Sequence, residues 1–242
     1  MNEKKAVSKV NLSLISLAIG GFSIGMTEFL MMGVLPDMSK TMHVSIPEAG
    51  HLISIYALGV VIGAPLMVGL TSKIAPKKVL ISFMLMVCAF NALFAIAPNY
   101  KLLIVTRLLA GLPHGAFFGV GAVVASKLAK RGREARAVSV MFSGLTVANI
   151  IGVPLGTYIG HNLSWRISFM LIAAVALLAA LAVKMWLPSI KSEQEESFGK
   201  SMKIFSRPGL WAIIGISAIG TGGMFAWISY ICLLYTSPSP RD

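Results

Sequence analysis

The sequence predicts an all-α integral membrane protein, and three observations carry that prediction. Apolar residues make up 56% of the 242 and charged residues only 12%, whereas a soluble domain needs roughly 25% charge to cover its surface. Apolar runs recur along the chain, each near the roughly 20 residues that a helix needs to cross a hydrocarbon core of about 30 Å. Lysine and arginine alternate strongly between the loops that join those runs. The formal net charge of +12 would suit nucleic acid if it were gathered on one patch. Scattered between spans, it marks topology instead, so the expected partner is the lipid bilayer and no nucleic acid is expected.

Seven candidate spans follow, at approximately residues 11–35, 48–70, 78–97, 101–127, 136–160, 165–187 and 209–231. The opening MNEKKAVSK before an apolar run resembles a signal peptide. However, the run from Asn11 to Leu35 contains Glu28, lacks a small-residue cleavage site and is followed by more spans, so it reads as a retained first helix. Placing the N-terminus in the cytoplasm puts sixteen lysines and arginines in the inner segments, against Lys40, Lys101 and Arg166 outside. That asymmetry predicts an N-in topology. The organisation expected is a cytoplasmic N-terminus at 1–10, a six-helix domain at 11–187, a cytoplasmic linker at 188–208 and one further helix at 209–231. Glu193, Glu195 and Glu196 beside lysines make the linker a solvated segment.

Glycines repeat at four-residue spacing within the spans: Gly111, Gly115 and Gly119; Gly152, Gly156 and Gly160; Gly59 and Gly63. In lipid such stripes let helix backbones approach closely, which predicts interior positions for the fourth and fifth spans. Pro113 and Pro154 each remove a backbone donor and predict local bends. Cys88 and Cys232 match no disulfide framework or metal spacing and read as small apolar residues. The last residues, CLLYTSPSPRD, end a membrane span with Tyr235, Thr236, Ser237 and two prolines. The string resembles an in-frame translation of a transposase adapter used in preparing sequencing libraries. Residues 232–242 are therefore expected to be adapter read-through, with the natural chain continuing past the seventh helix.

The ionisable inventory of the membrane interior is Glu28, Arg107 and His114. Glu28 lies eight residues before Pro36, roughly 12 Å deep at the helical rise. Arg107 lies six residues after Lys101, roughly 9 Å deep. His114 is about 10 Å further in on the face that carries Arg107, Gly111 and Gly115. Charge inside a span usually faces a cavity or a partner. Glu28 reads as a proton carrier or as an outer-interface residue, Arg107 as a modulating charge or a helix tie, and His114 as a relay or a neutral histidine tying two helices. Tyr56, Asn91, Thr146 and Asn149 are candidates to line a cavity, and the two asparagines can equally bridge helices. Nucleophile elbow, P-loop and metal-binding patterns are all missing from the sequence, so an enzyme, a cofactor and nucleotide-driven pumping are not expected.

Several motifs resemble the major facilitator superfamily, in particular its drug:proton antiporter branch and the arabinose-efflux-permease-like proteins. LIVTRLLAGLPHGA at Leu103–Ala116 is similar to the fourth-helix motif, an arginine followed four residues later by glycine. GLTVANIIGVPLGTYIG at Gly144–Gly160 resembles the fifth-helix motif of exporters, with its core at Gly152, Pro154 and Gly156. SWRISF at Ser164–Phe169 resembles the start of the sixth helix, and GMTEFLMMGVLP at Gly25–Pro36 resembles the first helix of this branch. GLTSKIAPKKVL at Gly69–Leu80 keeps the glycine and the basic residues of the family's cytoplasmic loop motif, with Lys73, Lys77 and Lys78, but replaces its aspartate by Ser72 or Lys73. The resemblance implies a cytoplasmic latch that is weaker there or made otherwise; the lysines also read as plain inner-face anchors.

The resemblance covers residues 10–231 and implies a six-helix bundle of two inverted three-helix repeats plus most of a seventh helix. It further implies a monomeric, proton-coupled exporter of a sugar or small drug-like solute in a bacterial inner membrane, of which this chain holds one half of the site. If the first and fourth helices face each other, Glu28 and Arg107 can pair directly or through water. A transport-inactive membrane sensor with the same fold is the alternative, and a truncated chain need not transport.

Overall fold

The computed structural model describes residues 2–190 and 206–236, and the side chains of 10–190 and 206–227. Among the described residues every regular element is helical: α1 Asn2–Gly33, α2 Leu35–Met42, α3 Ile46–Thr71, α4 Pro76–Ile96, α5 Tyr100–Leu128, α6 Glu134–Val147, a π-helical turn Ala148–Gly152, α7 Val153–Ile159, a second π-helical turn Gly160–Ser164, α8 Trp165–Trp186, and α9 Pro208–Thr236. Residues 2–190 belong to one compact unit and α9 to another. Most of the predicted linker 188–208 and the end of the predicted adapter-derived tail, 237–242, lie outside the described residues. α9 is continuous through Cys232–Thr236.

The helix boundaries have local causes. Ser45 and Glu48 form a capping box at α3: Glu48 N–H donates to Ser45 Oγ at 3.3 Å and Ser45 N–H donates to Glu48 Oε2 at 2.7 Å. Asn99 caps α5, its Oδ1 accepting from Leu102 N–H at 2.9 Å. α4 starts at Pro76, which loses nothing by lacking an N–H in the first turn. Gly132, at φ +80°, makes the turn between α5 and α6, a conformation that side chains oppose.

Six helical runs are long and apolar enough to cross a bilayer, one of them Glu134–Trp186 with 53 residues. That length would reach about 80 Å, far more than one crossing needs. Ser164, extended at φ −166° and ψ 138°, divides the run and caps α8. The described residues therefore form seven segments long and apolar enough to span. The bend expected at Pro154 takes the form of a π turn, in which Val153 N–H donates to Ala148 O just before the proline.

Helix ends are tied in two separate layers. At one end Ser13 Oγ–H donates to Trp186 O at 2.8 Å. At the other, Arg166 Nη1 donates to Ala95 O and Ala97 O at 2.7 and 2.8 Å, Tyr100 O–H donates to Glu48 O, and His161 meets Asp37. The most enclosed span is α1, 67% buried, against 50% for α5 and 22% for α3. The glycine stripes thus located close seams, and α1 is enclosed further than the fourth and fifth spans for which interior positions were expected. Leu58, Val61 and Ile62 on α3 and Leu177, Leu178 and Leu181 on α8 are exposed apolar residues.

The core is in two parts. One contains Leu14, Leu17, Leu80, Phe83, Phe117, Met141, Ala176 and Val183. The other contains Met26, Leu30, Leu52, Phe94, Leu103, Trp165 and Phe169. Along α1, α4 and α5 the buried polar residues Ser23, Thr27, Asn91 and Arg107 sit at or near the changeover from one cluster to the other. The functional candidates lie in that layer.

Candidate functional site at the junction of the two cores

The α3–α5 seam builds the site. A Cβ on Gly111 would strike Tyr56 O and come within 2.9 Å of Val60 N, and one on Gly59 would strike Leu108 O. Only glycines allow this approach, and it brings Tyr56 against the face of α5 that carries Arg107 and His114, one turn to either side of Gly111. Tyr56 then holds both neighbours. Its Oη lies 2.8 Å from His114 Nδ1, hydrogen-bonded, and its ring centroid lies 4.4 Å from Arg107 Cζ.

Arg107 is 1% exposed. Its Nη1 donates to Thr27 O at 3.0 Å and its Nε to Leu52 O at 3.4 Å. Phe94 and Phe169 flank it at 5.5 and 5.8 Å, so the guanidinium is held by carbonyls and aromatic faces. Its Nη2 has no hydrogen-bond partner.

Glu28 Oε2 lies 4.0 Å from His114 Nε2, the two side chains being 19% and 13% exposed. Of the direct or water-bridged pairing expected for Glu28 and Arg107, the direct form is not made: the group within ion-pair distance of Glu28 is His114. The reason is the direction of helical side chains, which lean toward the N-terminus of their own helix. α1 and α5 cross the unit in opposite directions, so Glu28 leans toward His114 while Arg107 leans past it toward Leu52. Counting depth along Cα positions leaves out this offset.

The remaining candidates separate by exposure. Asn91 is 0% exposed. Its Nδ2 donates to Val87 O at 2.8 Å and to Thr27 Oγ1 at 3.3 Å, tying α4 to α1. Thr146 and Asn149 are exposed on α6 and its π turn, and Asn149 Nδ2 donates back to Leu145 O at 3.2 Å. Phe142, one turn before Thr146, is 42% exposed and stacks on Phe118 at 4.8 Å and 12°. Phe118 in turn packs on His114 at 5.4 Å. Thr27, whose carbonyl serves Arg107 and whose hydroxyl serves Asn91, was not legible as a site residue. A threonine beside the single intramembrane carboxylate was the only signal available.

At the motif between α3 and α4, Gly69 O accepts from Ser72 Oγ–H at 3.0 Å. Lys73 and Lys78 are exposed and Lys77 is half-buried. Gly152 and Gly156 face Met26 and Leu30 of α1, while Gly115 faces Ala64. Pro154 is exposed.

A polytopic helical membrane protein with a chain of ionisable and aromatic groups at mid-bundle is the class these observations define. The family model described as Major Facilitator Superfamily matches residues 17–238, and the chain belongs to that superfamily. It is 43% identical over 219 residues to AraJ of Escherichia coli strain K12, covering 90% of this chain and 55% of that protein. It is 42% identical over 223 residues to the inner membrane transport protein YdhP of the same strain, covering 92% of this chain and 57% of that one. The chain thus spans little more than half the length of these curated relatives. A crystal structure of peptide transporter POT in complex with sulfate superposes with a TM-score of 0.64 at 17% identity, over 93% of this chain and 53% of that one; this likeness concerns the fold. The superfamily consists of membrane transporters rather than enzymes.

Proposed function

We propose that this chain forms half of a proton-coupled exporter, moving a sugar or small drug-like solute out of a bacterial cell by alternating access. In this reading residues 11–187 are the first six-helix domain, 188–208 the cytoplasmic linker and 209–231 the first helix of a second domain. The N-terminus is cytoplasmic, the membrane is the inner one, the whole protein is monomeric, and the proton is the coupling ion, with no other cofactor. The observation that carries the reading is the placement of Glu28: a partly accessible carboxylate 4.0 Å from His114 Nε2, with the fixed charge of Arg107 held nearby but turned onto aromatic faces.

A carboxylate in such a place is poised between desolvation, which favours its proton, and a nearby cation, which opposes it. Solvent reaching it from alternate sides then loads and unloads the proton. Arg107 acts as the modulating charge, since a guanidinium does not usefully deprotonate. His114 serves as the adjacent relay. Thr146 and Asn149, exposed with Phe142 on one side of the unit, supply polar and aromatic contacts for the solute.

The test is accumulation of a labelled sugar or fluorescent dye in energised inverted vesicles carrying the product of the complete gene. The expected result is uptake that collapses with the proton gradient and is lost in Glu28→Gln. Uptake indifferent to the gradient, or Glu28→Gln working at the wild-type rate, overturns the coupling. A complete absence of transport favours a sensor with the same fold.

A further inference from the structure

We propose that Tyr56 is a positioning residue rather than a wall of the solute cavity: its hydroxyl holds the His114 ring through Nδ1 and its ring keeps Arg107 off Glu28. The coupling half of this inference rests on Glu28 being the proton carrier, and the half that concerns the His114 ring does not.

Tyr56 is 3% exposed, which leaves little of it to touch a solute. Its hydroxyl is committed to His114 Nδ1 at 2.8 Å. The opposite ring nitrogen, Nε2, faces Glu28 Oε2. A neutral imidazole carries one N–H, and a hydroxyl suits either ring form, donating to a bare nitrogen or accepting from an N–H. An ionised Glu28 can only accept, so the compatible arrangement has Nε2–H toward the carboxylate and Tyr56 O–H donating to Nδ1. At 4.0 Å the His–Glu contact is too long for a hydrogen bond. A small side-chain movement, or one bridging water, closes it and connects the two groups for proton exchange.

The ring supplies the second half. Arg107 Cζ sits 4.4 Å from the Tyr56 centroid, and its two hydrogen bonds go to the carbonyls of Thr27 and Leu52. Were that aromatic platform missing, the same guanidinium would be drawn to the carboxylate one residue beyond Thr27 and would compete with the proton. Tyr56 therefore does two separable things through two parts of one side chain. Phenylalanine removes only the first, and leucine removes both.

Solid-state ¹⁵N NMR of histidine-labelled, full-length protein in lipid reads the tautomer without turnover, with His114 assigned by its loss in His114→Gln. The expected result is an Nε2–H ring in both proteins, with the Nδ1 resonance displaced in Tyr56→Phe, which lacks the hydroxyl bonded there. An unchanged His114 spectrum in Tyr56→Phe overturns the hydroxyl's role, whatever transport does. For coupling, Tyr56→Phe is expected to slow gradient-driven efflux by about two- to tenfold, the value of one hydrogen bond, and to slow gradient-independent solute exchange less. Equal losses in both assays reduce Tyr56 to a structural residue. Failure of the proton reading is distinguishable, because it shows already in the unmodified protein as efflux indifferent to the gradient.

Discussion

Two seams in this bundle share one glycine spacing and pack in opposite ways. Between α3 and α5, Cβ atoms on Gly59, Gly63 and Gly111 would run into the backbone of the facing helix at Leu108, Leu112 and Tyr56. Between α1 and the segment running from the first π turn through α7 to the second, Gly152, Gly156 and Gly160 are instead holes filled by the side chains of Met26, Leu30 and Val34. The first seam is backbone against backbone and can yield only by separating two helices. The second is side chain into hole, and a rotamer change can absorb an intruding atom. The rigid seam is the one that sets Tyr56 between Arg107 and His114, while the yielding seam lies along a span interrupted by π turns.

The largest effect expected from breaking this contrast is at Gly111. Gly111→Ala should lose about 1–3 kcal/mol through overpacking against fixed backbone, read as a lowered melting temperature in detergent. It should also weaken gradient-driven efflux by moving Tyr56. Gly63→Ala, against Leu112, should match it in stability without the same effect on coupling, since it is further from the site. Gly144→Ala, whose Cβ would strike Ala18 O, should behave as Gly63→Ala does, although it belongs to α1 and α6; a mild effect there would show that backbone contact is not what decides the cost.

A smaller change is expected at Gly156→Ala, where the nearest atom is Leu30 Cδ1 at 2.8 Å. Movement of that side-chain end and the helix-propensity gain of about 1 kcal/mol should nearly cancel. A loss as large as that at Gly111 would erase the distinction between the seams. The smallest effect is at Gly119, where an added methyl would meet nothing within 4 Å. Gly119→Ala should leave the melting temperature unchanged or raise it by the propensity term alone.

Much of the fold was legible. The predicted 101–127 and 165–187 spans lie within a residue or so of Tyr100–Leu128 and Trp165–Trp186, because length, apolar character and caps are local properties. The first span was read two residues too long, since Val34 ends α1 and Leu35–Met42 forms a separate helix with Pro36 in its first turn. The π turns around Pro154 were invisible, because the proline predicts a bend without predicting how the backbone donors rearrange. At the site, Glu28, Arg107 and His114 stood out through the cost of placing ionisable groups in lipid. Tyr56, the residue that touches two of them, was only a weak lining candidate, because nothing polar in its own neighbourhood along the chain marks it.

Amino-acid order alone therefore determined what depends on neighbours along the chain: seven apolar spans, the segregation of basic residues, the glycine spacings and the family motifs. It also determined which ionisable groups enter the membrane. Only the tertiary structure decided who meets whom. Glu28 faces His114 because antiparallel helices lean their side chains toward opposite ends. Arg107 rests on Tyr56, Phe94 and Phe169 because three other helices bring those rings to it. Of three glycines at equal spacing on α5, Gly111 meets backbone, Gly115 meets the Ala64 methyl and Gly119 meets nothing. Spacing sets which residues share a face, and the crossing of the facing helix sets how far along that face the contact extends.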